Sequence, residues 1–144
     1  MEQLEIKKLD DRAIIPTYGT LDSAGADLYA LLDEELEIKP GETKIIPTGL
    51  SMAIPKGYVG LIYARSSLGT KKGLAPANKV GVIDADYRGE IKIVLYNQSQ
   101  ELQTIIPNER IAQIIITPYI KVNFKEVEEL SETERGTGGF GSTN

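Results

Sequence analysis

The densest run of chemically useful side chains is Asn78-Lys79-Val80-Gly81-Val82-Ile83-Asp84-Ala85-Asp86-Tyr87-Arg88-Gly89-Glu90-Ile91, where an apolar strand enters an acidic turn and a second strand leaves it. Such a pattern predicts a β-hairpin with polar groups at its tip. Two readings of that tip stay open. It is a solvated turn with glycine where a positive φ is needed, or its carboxylate is a general base, the only kind this composition offers near neutral pH. A calcium loop fails. Asp84, Asp86 and Gly89 fit its first, third and sixth positions, but Arg88 and Leu95 stand where oxygen ligands belong, with no flanking helices.

Four further segments concentrate polar groups. Ala64-Arg65-Ser66-Ser67-Leu68-Gly69-Thr70-Lys71 gathers two cations and three hydroxyls, which suits a phosphate chain or an ordinary surface turn. Glu109-Arg110-Ile111-Ala112-Gln113-Ile114 places one Gln in an apolar strand, where it must either tie down a neighbouring backbone or order a water. Ser23-Ala24-Gly25-Ala26-Asp27-Leu28-Tyr29-Ala30 combines a glycine suited to close backbone approach with Asp27 as a supporting carboxylate or turn cap. Last comes Gly136-Thr137-Gly138-Gly139-Phe140-Gly141-Ser142-Thr143-Asn144 after Arg135. A P-loop is out, because the lysine and the following helix are missing. Glycine-rich amides beside Arg135 and two hydroxyls can still wrap an anion. Phe140 is then either a stray aromatic on a disordered end or a lid that stacks on a ligand.

Two zeros narrow the chemistry. Without His or Cys the chain builds neither a Ser-His-Asp nor a Cys-His nucleophile system. The usual N/S zinc site and the zinc nucleobase deaminases are excluded by the same count. With 16 Lys and Arg against 21 Asp and Glu, the net charge is −5. No basic field is available for a nucleic-acid backbone. Catalysis must therefore run on carboxylates, hydroxyls, Arg, Lys, backbone amides and oxygen-loving cations. Absence of cysteine suits a reducing compartment. The opening MEQLEIKKLD lacks the layout of a secretory signal, and no aliphatic stretch is long enough to span a membrane. A cytoplasmic location is expected.

The elements that must position these groups are short strands. In 144 residues, 14 Gly and 7 Pro interrupt the chain every eight to twelve positions, too often for long helices. Runs at 44–46, 59–63, 91–95 and 114–116 are β-branched and apolar. Ile120, Val122 and Phe124 alternate with Lys121, Asn123 and Lys125, as in a strand with one buried face. An all-β sandwich or jelly roll with at most one short helix is expected. Residues 30–36 have the composition for that helix, whereas 69–77 are broken by Gly73 and Pro76. The core is expected over residues 1–124. Residues 125–144 start with five Glu between 126 and 134 and end in glycines, so they cannot form their own core. Twenty residues extend to roughly 70 Å, enough to reach another subunit.

In sequence and order, AGADLYA (24–30), ARSSLGTK (64–71), NKVGVIDADYRGEI (78–91), ERIAQI (109–114) and RGTGGFGST (135–143) resemble the five motifs of the trimeric dUTP pyrophosphatase (dUTPase) family. The resemblance implies a dUTPase-like jelly roll and hydrolysis of dUTP to dUMP and pyrophosphate by water attack at the α-phosphorus, with Mg²⁺ held mainly by triphosphate oxygens. It implies that Asp84 activates the water and that Tyr87 lies against the deoxyribose and rejects UTP. Asn78, Gly81, Val82 and Ile83 would form the uracil slot with Lys92 beside it. Arg65, Ser66 and Ser67 would line the phosphates, and Gln113 would hold the catalytic water or the substrate pocket. Arg135, Gly138, Gly139, Phe140, Gly141, Ser142 and Thr143 would close over the substrate. Asp27 would stand near the metal's waters. The family also implies a homotrimer in which residues 125–144 form a strand and arm exchanged with a neighbouring subunit. Ser67 departs from it, standing where glycine is common.

Competing readings are the sister branch, dCTP deaminase or a bifunctional deaminase and dUTPase, whose Arg-Ser-Ser element is echoed at 65–67. A nucleotide-gated regulatory binding partner is a reading of another class. A structural β-sandwich would leave five chemically rich turns unexplained.

Overall fold

A computed structural model of the chain describes residues 3–142. The short apolar runs become twelve strands in four antiparallel sheets, with one helix among the described residues. The largest sheet orders β2 (Thr17–Tyr18), β3 (Ala26–Tyr29), β12 (Arg110–Pro118), β7 (Tyr58–Tyr63) and β9 (Gly81–Ile83). A second joins β5 (Thr43–Pro47), β10 (Lys92–Asn97) and β8 (Leu74–Pro76). Two pairs complete the jelly roll: β1 (Glu5–Lys8) with β6 (Leu50–Ala53), and β4 (Leu36–Ile38) with β11 (Gln103–Ile105). Leu28, Ile62, Ile111 and Ile114 of the large sheet share a core with Ile38, Ile46, Leu50, Ile93, Leu95 and Ile105 of the others. Asn97, fully buried, fastens β10 to β4 by donating to the Ile38 carbonyl at 2.8 Å. No described helix is long and apolar enough to cross a membrane.

The helix lies where the composition argues against it. Residues 30–36 form no helix: the Ala30 and Leu31 amides donate to Glu109 O (2.8 Å) and Pro47 O (2.9 Å), residues 33–34 bend, and Leu36 pairs with Ile105. Instead α1 (Ser66–Lys72) forms. Gly73, the supposed breaker, is its C-terminal cap at φ 65°, a left-handed conformation that glycine adopts without penalty. Buried Leu68 anchors the helix, and Lys71 and Lys72 sit in its last turn, where the helix dipole favours cations.

The expected hairpin at 78–91 does not form. β9 pairs with β7, while β10 pairs with β5 and β8. Residues 84–91 cross from one sheet to another because Ile91 is claimed by Leu50 and Thr48 rather than by a partner across the turn. Beyond Pro118 the described chain carries no strand, and Ile120, Val122 and Phe124 stand exposed. The alternation at 120–125 thus finds no partner within the chain.

Candidate active site

Register aligns one polar row across the large sheet. Gln113 of β12 is paired with Asp27 of β3 on one side and Tyr63 of β7 on the other. Arg110 joins them through an irregularity. A strand's period of two would turn residues 110 and 113 to opposite faces, but the register shifts between Arg110 and Ala112. An extra residue of this kind re-aims the side chains beside it. These groups, with Ser23, Gly25, Arg65 and Ser66, line a cleft of about 390 Å³.

The Asp27 carboxylate organises the cleft's charge. It accepts from Arg65 Nε at 2.7 Å and from Arg110 Nη1 at 3.3 Å, and is only 11 % exposed. Two guanidiniums are thereby fixed on one wall, with donors remaining for an anion. Gln113 donates from Nε2 to the Ala64 carbonyl at 2.8 Å, holding the chain just before Arg65. Its Oε1 lies over Gly25, where an added Cβ would sit 2.1 Å away. Gly25 is a glycine because the Gln113 side chain occupies that space. On α1, Ser67 accepts from Arg65 Nη1 at 3.3 Å.

A second recess is built by β9 and the turn that follows it. Asn78, Gly81, Val82, Ile83 and Lys92 line a slot of about 90 Å³. At Gly81 a Cβ would meet Ile62 at 3.2 Å and Asn78 Nδ2 at 3.5 Å, so the glycine keeps that slot open. Val82, Ile83 and Lys92 are shared with an adjoining recess of about 230 Å³ that adds Asp84, Tyr87 and Glu90. Asp84 and Tyr87 are both exposed.

Asp84 and Arg65 lie at opposite ends of β7. Gly60 pairs with Ile83, so Asp84 leaves the sheet level with Val59, whereas Arg65 follows Tyr63. Strand residues advance about 3.3 Å each, which separates Asp84 from Arg65 by roughly 15–20 Å. One chain therefore does not bring both to a single phosphorus. The described part of the last motif lines neither the cleft nor the two recesses. Arg135 Nε donates to Gly138 O at 2.8 Å, Gly139 O accepts from the Ser142 amide at 3.1 Å, and Gly141 has a positive φ. Phe140 is fully exposed at φ 52°, unusual for an aromatic residue. Thr143 lies outside the described residues.

Among the described residues no three carboxylates are grouped to hold a metal. A Mg²⁺ ion fits this site as a companion of a polyphosphate, which supplies the hard oxygens it prefers. Arg110 is the group that sequence reasoning did not single out; it lies inside a polar segment, but its role depends on a bulge. The close approach expected at the glycine of residues 23–30 is made at Gly25 by the side chain of Gln113, 88 positions away.

A jelly roll with a guanidinium-lined anion cleft and a separate carboxylate-bearing slot has the makings of a nucleotide-polyphosphate site. The dUTPase family model matches residues 11–144. The chain belongs to the dUTPase family. It is 52 % identical over 141 residues to a deoxyuridine 5'-triphosphate nucleotidohydrolase of Nautilia profundicola, covering 98 % of each. Of solved structures, the Staphylococcus bacteriophage 80alpha dUTPase with dUPNHPP superposes with a TM-score of 0.90 at 30 % identity, covering 100 % of this chain and 99 % of that one. The dUTPase of S. aureus phage phi11, described with a structural Mg(II) ion, does so at 0.81 and 25 % identity, covering 91 % and 100 %.

Proposed function

We propose that this chain hydrolyses dUTP to dUMP and pyrophosphate, as a homotrimer whose sites are shared between subunits. The observation that carries the shared site is the separation of Asp84 from Arg65 along β7. A neighbour's Asp84 turn facing this chain's arginine cleft would complete a site that neither has alone. Asp84 takes a proton from a water whose oxygen bonds to the α-phosphorus. The bond from that phosphorus to the bridging oxygen breaks, and pyrophosphate leaves with the electron pair. Arg65, held by Asp27, neutralises charge on the phosphates with Ser66 and Ser67, the kind of positioning on which phosphoryl transfer depends. Gln113, with its amide nitrogen committed to Ala64, has Oε1 left to orient the water.

Base and sugar are selected in the other recess. Asn78 and the Gly81 to Ile83 backbone read the uracil edge, with Lys92 at the rim. Tyr87 lies against the deoxyribose where a 2′-hydroxyl would clash. Arg135, Gly138, Gly139, Phe140, Gly141, Ser142 and Thr143 close over the nucleotide from a further subunit, with Phe140 on the base. Bound Mg²⁺ would offset the triphosphate's charge and hold its shape. Asp27, with both oxygens on arginines, acts on that chain of phosphates through the arginines. Ile120, Val122 and Phe124, exposed on this chain, find their buried face on a neighbour, and residues 125–144 lead on from them as the exchanged strand and arm. By consuming dUTP the reaction keeps uracil out of DNA, and it supplies dUMP for thymidylate synthesis, a role that fits the cytoplasm.

Pyrophosphate release from dUTP, dCTP, UTP and dTTP with Mg²⁺ tests this. Release from dUTP alone is expected; ammonia from dCTP would point to the deaminase branch instead.

A further inference from the structure

Residues 84–91 have no regular secondary structure, and their shape is imposed from below by residues 48–51. The buried Ser51 hydroxyl donates to Arg88 O at 2.7 Å, and the Gly49 amide donates to the Glu90 carboxylate at 3.0 Å. Thr48 Oγ1 donates to Ile91 O at 2.6 Å, and Ile91 N to Leu50 O at 2.8 Å. On top of this rail Tyr87 is fastened by its hydroxyl, which donates to Glu90 O at 2.8 Å. Its ring lies across Gly89, where a Cβ would sit 2.4 Å from the phenolic oxygen and 2.6 Å from Cζ. Gly89 is not among the residues with positive φ. It is therefore the ring, not the backbone, that requires glycine there.

We propose that Ser51 and Gly89 are positioning residues for nucleotide selection, holding Tyr87 as a fixed wall against a 2′-hydroxyl. The inference rests on the reading that Tyr87 meets the sugar. Steric exclusion works only if the wall does not yield, and Tyr87 is 42 % exposed with only two side-chain torsions to restrain. Ser51 fixes the height of the loop, and Gly89 lets the ring lie flat on it. Neither residue lines the recesses that hold Asn78, Asp84 and Tyr87.

Steady-state kcat/KM for dUTP and UTP, measured on the intact protein with Mg²⁺, provides the test. Tyr87→Ala should lower the dUTP/UTP ratio. Gly89→Ala should lower it by about tenfold or more, mainly by raising UTP turnover, since small steric differences in a pocket are worth about 10–200-fold. Ser51→Ala should lower it less, and Ser51→Thr, which keeps the hydroxyl, should restore it. A purely structural role would reduce melting temperature and leave the ratio untouched. Wild-type ratios in Gly89→Ala and Ser51→Ala, with the ratio lost in Tyr87→Ala, overturn the proposal while sparing the sugar contact. An unchanged ratio in Tyr87→Ala removes the contact and the proposal together. Should Gly89→Ala fail to fold, Tyr87→Phe keeps the ring and deletes its bond to Glu90 O; an unchanged ratio there also overturns it.

Discussion

Asp84 and Asp27, the two carboxylates given roles in the proposed site, are placed very differently. Asp84 is exposed with an open recess beside it, while Asp27 is nearly buried between two guanidiniums. Their variants should separate accordingly. Asp84→Asn keeps shape and hydrogen bonding but cannot take a proton, so it should hold KM within about tenfold and lose roughly 10²–10⁴ in kcat. Turnover within tenfold of wild type would exclude Asp84 as the base. Asp27→Asn should act on binding instead, raising KM for dUTP by about tenfold, or roughly 1.4 kcal/mol. That rise should persist at saturating Mg²⁺, because the arginines and not the metal have lost their partner. A rise abolished by excess Mg²⁺ would return Asp27 to the metal's hydration shell.

At the scale of elements, helix α1 and the terminal arm carry the clearest expectations. Gly73 caps α1 with a positive φ, and a Cβ there would lie 2.9 Å from Ser99 Cβ. Gly73→Ala should cost about 1–3 kcal/mol in chemical denaturation and displace the helix that follows Arg65. A variant as stable as wild type would show that both strain and clash relax. None of the described arm residues belongs to the apolar core, so deletion of residues 135–144 should leave assembly intact and sharply lower kcat/KM. Phe140→Ala alone should lose about 1–3 kcal/mol of substrate binding, the usual worth of a base stacked on an aromatic ring. Since the chain has no tryptophan, Phe140→Trp should report docking by a fluorescence change on adding dUPNHPP with Mg²⁺. No change in an active enzyme, together with a harmless deletion, would leave the arm without a role.

The whole molecule is expected to be a trimer, with a light-scattering mass three times the 15.8 kDa of the chain; a monomer mass would remove the shared site. Subunit mixing examines the geometry directly. Asp84→Asn and Arg65→Ala chains should each be inactive alone. If each site takes Asp84 and Arg65 from different chains, every mixed trimer restores one site in three, and an equal random mixture recovers about a quarter of wild-type activity. If both residues serve within one chain, mixing recovers nothing.

Strands at 44–46, 59–63, 91–95 and 114–116 were legible because alternation and β-branching are local properties, and so were the polar segments, because side-chain chemistry is written in residue types. Pairing was not legible. That β9 joins β7 while β10 leaves for another sheet, and that residues 30–36 stay out of a helix while α1 forms around Gly69, depend on backbone partners far away in the chain. The bulge that turns Arg110 toward Gln113 and the ring that makes Gly89 a glycine are of the same kind. Residue chemistry and strand period were thus determined by the sequence itself. Tertiary structure alone decided which strands share a sheet and how far apart Asp84 and Arg65 lie, because hydrogen-bond register and packing are settled only when distant segments compete for the same partners.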